Sequence, residues 1–200
     1  MEQFTESAAF TGLLIALSSL AGCSYRSDIV MSPIESVYTD ISAKSCTERI
    51  DEDDPNDTTY QLCPGVLGYS IVVRRVGSGR QSVDVRTPSD GDYPLDYQEF
   101  VTSDMSQLEP LAEWRVKTSG GTETPIALII GVQAHENVDE PAEVTQTYLA
   151  VAKIAPGDIC VTNKVAKRPG YQSTLYDVAD AAPFVDCLQS PGPATNGENQ

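Results

Sequence analysis

The densest group of possible metal ligands in this chain is the acidic run Asp51-Glu52-Asp53-Asp54-Pro55-Asn56-Asp57. Calcium takes about six to eight oxygen ligands, and carboxylates clustered on a turn are a suitable source of them. Asp51, Asp53 and Asp57 alternate loosely in the manner of a calcium loop. The run has no glycine at the turn and no glutamate at the closing position of an EF-hand loop. The pattern therefore favours a solvated acidic loop, with a calcium site at those three aspartates as the alternative.

His135 is the only histidine, and it lies in Ala134-His135-Glu136-Asn137 directly after an apolar run, which predicts a polar surface loop. A general base must lie within hydrogen-bond reach of its nucleophile or water, and no motif supplies such a partner. The sequence also lacks a nucleophile elbow, a phosphate loop, a dinucleotide fingerprint and a paired-histidine zinc motif. These features predict a surface histidine, no cofactor and no enzyme, with catalysis through His135 as the alternative.

Cys23 closes the run Leu20-Ala21-Gly22-Cys23, directly behind an apolar stretch at residues 8–20. This arrangement resembles the lipobox of bacterial lipoproteins, whose cysteine is lipidated and becomes the new N-terminus. This largely apolar stretch of 13 residues suits a signal sequence, whereas a transmembrane helix needs about 20 apolar residues. The preceding segment departs from the pattern, because it has Glu2 and Glu6 but no basic residue; either the start is misassigned or the signal is weak. The alternatives are a signal cleaved without lipidation and a cytosolic core helix followed by an ordinary core cysteine.

The other four cysteines, Cys46, Cys63, Cys160 and Cys187, form an even set once Cys23 is assigned to lipid. An even set in an exported domain indicates disulfides, for which several connectivities exist. Sequential pairing, Cys46 with Cys63 and Cys160 with Cys187, closes short local loops and is the predicted one. A structural zinc site is the rival interpretation, but intervals of 16 and 26 residues lack the closely paired ligands of such sites.

Length and charge limit the possible partners. Removal of residues 1–22 leaves 178 of the 200 residues, which is enough for one domain with a sizeable core. The mature chain would keep 27 acidic and 13 basic residues, a net charge near −14. An acidic surface repels nucleic acid and anionic lipid headgroups, so neither is an expected ligand. A basic protein or a cation would be attracted to this negative surface, although the same charge also keeps an exported domain soluble.

Short apolar runs between turns of glycine, proline and aspartate predict a mainly β domain. Residues around Gly77-Ser78-Gly79 alternate as a hairpin, and residues 125–132 are apolar enough for a strand buried on both faces. Trp114 alternates with apolar neighbours on one strand face, which favours a core anchor over a binding-face aromatic. Residues 171–182 have apolar positions at helical spacing. The predicted fold is an antiparallel sandwich or small barrel of about seven or eight strands with one short C-terminal helix.

The predicted division of the chain has four parts. They are a lipoprotein signal at residues 1–22, a lipidated N-terminus and tether at 23–36, a disulfide-stapled β domain at 37–188 and a disordered tail at 189–200. The tether is polar and has little periodicity. The tail is rich in proline, glycine and asparagine.

Several segments resemble a family of small, uncharacterised exported proteins of proteobacteria. They are Ser36-Val37-Tyr38-Thr39-Asp40, Cys63-Pro64-Gly65-Val66-Leu67-Gly68-Tyr69, Pro94-Leu95-Asp96-Tyr97, Ala112-Glu113-Trp114-Arg115 and Tyr148-Leu149-Ala150-Val151-Ala152-Lys153-Ile154. The likeness covers about residues 36–188. The resemblance implies export and a shared fold, and it transfers no catalytic residues because the family has no known activity.

Together these features predict a non-catalytic lipoprotein of a Gram-negative cell envelope with a binding or structural role. Lipid on Cys23 would hold it at the membrane, facing the periplasm, and Ser24 after the cysteine is compatible with outer-membrane sorting. The alternative is an envelope inhibitor of a cationic lytic enzyme such as lysozyme, since an acidic surface steers a basic target. An enzyme is the least favoured class.

Overall fold

The protein is described by a computed structural model covering residues 32–51, 58–77, 79–89, 91–137 and 139–190. Within these residues the chain is mainly β, and ten strands form two antiparallel sheets of five strands each. The predicted mainly β sandwich with a C-terminal helix is therefore confirmed. The predicted signal at residues 1–22, Cys23 with residues 24–31 of the tether, and residues 191–200 of the tail lie outside the described residues.

The two sheets are named A and B. Sheet A has the order β1 (Ile34–Asp40), β7 (Met105–Ser119), β8 (Thr122–His135), β9 (Gln146–Ala155) and β10 (Asp158–Ala166). Sheet B has the order β2 (Thr47–Ile50), β3 (Thr59–Pro64), β4 (Ser70–Val76), β5 (Arg80–Arg86) and β6 (Asp92–Pro94). The helices are α1 (Tyr97–Phe100) and α2 (Tyr171–Ala181), and α2 runs into a 3-10 turn at Ala182–Phe184.

Trp114 lies at the centre of the core between the sheets and is fully buried. Its indole Nε1 donates a hydrogen bond to Thr39 Oγ1 at 3.1 Å, and its ring centroid lies 6.2 Å from that of Tyr69. Ala112 and Val116 face the core beside it, as the strand period of two requires. The prediction that Trp114 anchors the core is confirmed.

A second apolar layer covers the opposite face of sheet A. Leu175 and Ala179 of α2 pack there against Ala127, Ile129 and Val151 of β8 and β9. Strands β8 and β9 therefore bury both faces, which explains why their sequences are nearly continuous apolar runs rather than alternating ones. The strand predicted at residues 125–132 and the helix predicted at residues 171–182 are both found.

The structure has more strand than the sequence indicates. Strand β2 is exposed along its whole length and β6 has only three residues, so neither has an apolar alternation to reveal it. Strands β7 and β8 extend through Pro110 and Pro125, which lie beside register shifts in the β7–β8 pair. Such irregularities accommodate a residue that has no backbone N–H to donate. Strand β1 begins at Ile34, so residues 34–36 of the predicted tether belong to sheet A.

Candidate functional site

Two disulfides fix the ends of the domain. Cys46 pairs with Cys63 at an S–S distance of 1.98 Å, and Cys160 pairs with Cys187 at 2.05 Å. This is the sequential connectivity that the spacing predicts. The first bond ties the segment after β1 to β3, and the second ties β10 to the segment after the 3-10 turn. All four sulfurs are consumed, so none is available as the thiolate that a zinc site needs.

The predicted calcium site is only partly within the described chain. Asp51 Oδ2 accepts a hydrogen bond from Arg74 Nη1 at 2.7 Å, so this carboxylate takes part in an ion pair. Asp53 and Asp57 lie outside the described residues. The calcium prediction therefore stays untested.

His135 is not in a surface loop, so that prediction is wrong. Strand β8 continues through His135, which is in register with Met105 of β7, and the side chain is half-buried. Both ring nitrogens are buried without a hydrogen-bond partner among the described residues. The apolar run stops at Val132, but backbone pairing with β7 does not, and this is why the sequence pattern placed the strand end too early.

A polar network on the outer face of sheet A fastens α2 to the sheet. Arg115 Nε and Nη2 donate to the two carboxylate oxygens of Asp180 at 2.7 and 2.9 Å. Arg115 Nη1 donates to Ser36 Oγ at 2.6 Å, and that hydroxyl donates to Glu113 Oε1 at 2.5 Å. The guanidinium carbon lies 4.7 Å from the centroid of the Tyr176 ring. Every member has a partner, so the network is structural.

Burial and a hydrogen bond to Tyr176 raise the pKa of Tyr38, at the rim of this network, to about 12. Tyr38 is therefore a neutral hydroxyl at physiological pH.

A second charged group lies on the outer face of sheet B, beside a depression of about 520 Å³. Arg74 Nε donates to Asp84 at 2.5 Å, and Arg86 Nε donates to Asp92 at 2.7 Å. Both guanidinium carbons lie over the ring of Tyr60, at 5.1 and 5.6 Å from its centroid. Burial raises the pKa of Asp84 despite the neighbouring arginine. Because these arginines are already paired with aspartates, the group offers little attraction for an added anion.

An apolar cleft lies where sheet A ends at its edge strand β1. We call it the β1 cleft; its volume is about 240 Å³, and it is lined by Glu35, Val37, Val66, Leu67, Val116, Thr118 and Glu123. Val37 and Leu67 are 40% and 47% exposed, which is unusual for large apolar side chains placed side by side. Within the described part of the chain, two glutamates and no basic residue line the cleft. The arrangement suits a ligand that combines apolar and cationic groups.

Leu67 occupies a strained position in the turn between β3 and β4. Its φ is 51°, and Gly68 follows with φ 85°, so the two central residues of the turn are left-handed. Tyr69 N donates to Val66 O at 2.8 Å and closes the turn. A left-handed leucine is rare because its Cβ approaches the following carbonyl. The sequence gives no signal of this, since a Leu-Gly pair is not a typical left-handed pair.

Strand β1 is paired on one side only within the described residues. It is in antiparallel register with β7 from Ile34 opposite Lys117 to Asp40 opposite Leu111, and it ends the strand order of sheet A. An edge strand presents backbone N–H and C=O groups that another extended chain can pair with. The β1 cleft therefore combines side-chain contacts with a free backbone edge.

Comparison with family models, with curated proteins and with solved structures gives no match for this chain. The resemblance to small exported proteins of proteobacteria stays a prediction. No helix in the described ranges is long and apolar enough to cross a membrane.

Proposed function

We propose that this chain is a non-catalytic, lipid-anchored binding protein of the Gram-negative cell envelope. Its β1 cleft captures an extended, basic segment of a partner protein. The observation that carries the proposal is the apolar, acid-rimmed cleft at β1, an edge strand with no second partner strand among the described residues.

Strand addition is the recognition mode that this geometry supports. Main-chain hydrogen bonds to an exposed sheet edge provide affinity, and pockets for alternate side chains provide specificity. Val37 and Val116 would contact one apolar side chain of the added segment, and Leu67 would close over it from the neighbouring turn.

Charge selects a basic partner. Glu35 and Glu123 stand in the lining of the cleft, and the whole chain has a formal net charge of −16. Such a field raises the association rate of cationic partners and disfavours acidic ones. A segment that carries an apolar residue and a lysine or arginine two positions apart places both side chains on the strand face that meets Val37 and Glu35.

The envelope location is supported by the disulfides and the lipobox. Disulfides persist in oxidising compartments such as the periplasm. Lipid chains on Cys23 would provide the two signals that stable anchoring needs. The 11 residue steps from Cys23 to Ile34, at roughly 3.6 Å each, would limit the distance of β1 from the membrane to at most about 40 Å.

Peptide binding tests the cleft directly. We expect the full domain with intact disulfides to bind a fluorescent peptide of Val-Thr-Lys-Thr repeats, the Val-Lys peptide, and not its Val-Thr-Glu-Thr counterpart, because valine and lysine two positions apart share one strand face. Exchanging both rim charges, Glu35→Lys with Glu123→Lys, is expected to weaken binding at least tenfold. Glu140→Lys with Glu143→Lys, which makes the same charge exchange at two exposed positions outside the cleft, is the matched control. Equal binding of both peptides, or loss in the control alone, would contradict the proposal.

Intact-mass measurement of the protein from its native membrane tests the anchor. The expected mass is that of a chain beginning at Cys23 with acyl chains attached, and reduction is expected to add the hydrogens of two disulfides. A non-acylated chain that keeps residues 1–22 would refute the lipoprotein assignment.

A second candidate is an envelope inhibitor of a cationic lytic enzyme, and the Leu67 turn favours it. The turn presents a partly exposed leucine in a strained conformation next to β3, which carries the disulfide cysteine Cys63. Strained, rigid backbone is often found at binding sites. Inhibition of lysozyme by micromolar protein, lost in Leu67→Asp, would support this function. Full lysozyme activity at that concentration would remove it.

A further inference from the structure

The β4–β5 hairpin extends beyond the hydrophobic core. Val73 and Val83 are in register and face the core, whereas the next pair on the same face, Arg75 and Gln81, is polar. This polar end of the hairpin lies against the start of β7 and forms a pocket of about 290 Å³. We call it the hairpin pocket; it is lined by Arg75, Gly77, Gly79, Arg80, Gln81, Ser106 and Gln107. It shares no residue with the β1 cleft.

The hairpin pocket is lined by positive charge, although the chain as a whole is acidic. Among the residues that the structure describes, two arginines and no carboxylate line it, although acidic residues outnumber basic ones by 29 to 13 in the sequence. Arg75 has no ion pair or hydrogen bond within the described ranges, and Arg80 donates only from Nη1, to Ser103 O at 3.1 Å. The two guanidiniums therefore keep most of their N–H donors free. Elsewhere Arg74, Arg86 and Arg115 are each paired with an aspartate.

Three hydrogen bonds hold the pocket in shape. Ser106 N donates to Gly79 O at 3.0 Å, and Leu108 N donates to the side-chain oxygen of Gln81 at 2.9 Å. The bond from Arg80 to Ser103 O adds the third. The Arg80 guanidinium also lies over Gly77, where a Cβ atom would stand 3.0 Å from Nη2. Apart from the exposed Arg75 side chain, which none of these bonds holds, the pocket therefore loses little conformational freedom when a ligand binds.

We propose that the hairpin pocket binds a small organic dicarboxylate, with one carboxylate facing each guanidinium. The planar guanidinium fork matches the geometry of a carboxylate and favours two parallel hydrogen bonds. The amides of Gln81 and Gln107 and the hydroxyl of Ser106 add neutral polar groups to the same lining. The pocket volume of about 290 Å³ suits a compact molecule such as succinate.

Calorimetric titration of the unaltered chain with succinate tests the proposal. We expect saturable binding of succinate and none of succinamide, the neutral diamide of the same size. This comparison needs no variant, so it does not depend on whether a substituted chain folds. Absence of succinate binding, or equal binding of succinamide, would overturn the proposal. Binding of inorganic phosphate without binding of succinate would overturn the assignment to carboxylates.

Single substitutions locate the site. Arg75→Gln and Arg80→Gln are each expected to weaken succinate binding at least tenfold. Arg168→Gln is the matched control, because it removes the same charge from an exposed position outside the pocket. Equal weakening in all three variants would mean that succinate responds only to the overall charge, and would overturn the site. The Val-Lys peptide binding of the β1 cleft is expected to be unchanged by these substitutions.

Discussion

Arg115 on β7 and Asp180 on α2 are 65 residues apart in sequence and share two hydrogen bonds, at 2.7 and 2.9 Å. The arginine is nearly buried, and its guanidinium also lies over the ring of Tyr176. The aspartate is the main reason that the pKa of Arg115 is raised. This pair joins the C-terminal helix to the outer face of sheet A.

Asp180→Ala is expected to destabilise the fold by about 2–3 kcal/mol, because it leaves a nearly buried guanidinium without its carboxylate. Urea unfolding followed by the fluorescence of Trp114 measures the loss. Asp177→Ala is the control, since Asp177 is exposed on the same helix; its effect is expected to stay within about 0.5 kcal/mol. Similar losses in the two variants would show that helix propensity, rather than the ion pair, is responsible.

Tyr97→Phe is expected to stabilise the protein by about 1 kcal/mol, because the Tyr97 hydroxyl is fully buried and has no hydrogen-bond partner among the described residues. Leu95, which is buried and lies two residues before Tyr97, offers a control. Leu95→Ala removes apolar contacts and is expected to lower the free energy of unfolding by about 2–5 kcal/mol. Chemical unfolding at neutral pH provides both values. A loss of stability in Tyr97→Phe would indicate that the hydroxyl has a partner.

Stability at alkaline pH is expected to depend on the same residue. Burial raises the pKa of Tyr97 far above its ordinary value of 10.0. The folded state then holds the phenol proton more tightly than the unfolded state. The stability of the fold that depends on a protonated Tyr97 is therefore complete below pH 10 and is lost as pH rises towards the folded pKa. The stability advantage of Tyr97→Phe is therefore expected to widen between about pH 9 and about pH 11. An advantage that does not change with pH would contradict the assignment.

Leu67→Asn is expected to stabilise the domain by about 1 kcal/mol, because asparagine tolerates the left-handed region that leucine does not. The same change is expected to weaken peptide binding at the β1 cleft, since the apolar side chain that closes the cleft is lost. Leu111→Asn is the control, because Leu111 is similarly exposed but does not have a positive φ. Thermal unfolding and peptide titration give the two readings. A gain in stability with unchanged binding would remove Leu67 from the proposed site.

The two disulfides are expected to be reduced in a fixed order. Cys63 is 2% exposed, so a thiolate can reach the first bond only at half-buried Cys46, whereas both sulfurs of the second bond belong to half-buried residues. Mass spectrometry after timed reduction and alkylation is expected to label Cys160 and Cys187 first. Loss of either bond is expected to cost roughly 3 kcal/mol in the loop-entropy model. Earlier labelling of Cys46 and Cys63 would contradict the predicted order of reduction.

Local patterns in the sequence predict the parts of this fold that depend on neighbouring residues. The alternation around Trp114, the hairpin at residues 77–79, the helical spacing at residues 171–182 and the short cysteine loops are all found as expected. Each follows from a period or a loop that is visible within a few residues.

Tertiary relationships could not be predicted in the same way. Arg115 and Asp180 are ordinary surface residues in sequence, and only the packing of α2 on sheet A brings them together. In the sequence, Arg75 continues the core face of β4 and resembles the polar end of a strand. Only the packing of the start of β7 against the hairpin shows that it lines a pocket. His135 was misplaced because backbone pairing with β7 continues after the apolar residues stop.

The pairing of β1 with β7 has a mechanical consequence. The two strands are in register along their length, from Ile34 to Asp40, and hydrogen bonds between antiparallel strands run perpendicular to them. A force applied to the N-terminal end of β1 and directed along the strand therefore loads these bonds in shear, all at once. Thr39 and Ser36 add side-chain bonds to Trp114 and Arg115 on opposite faces of the same strand. A domain pulled from this end would resist extension until the whole strand slides.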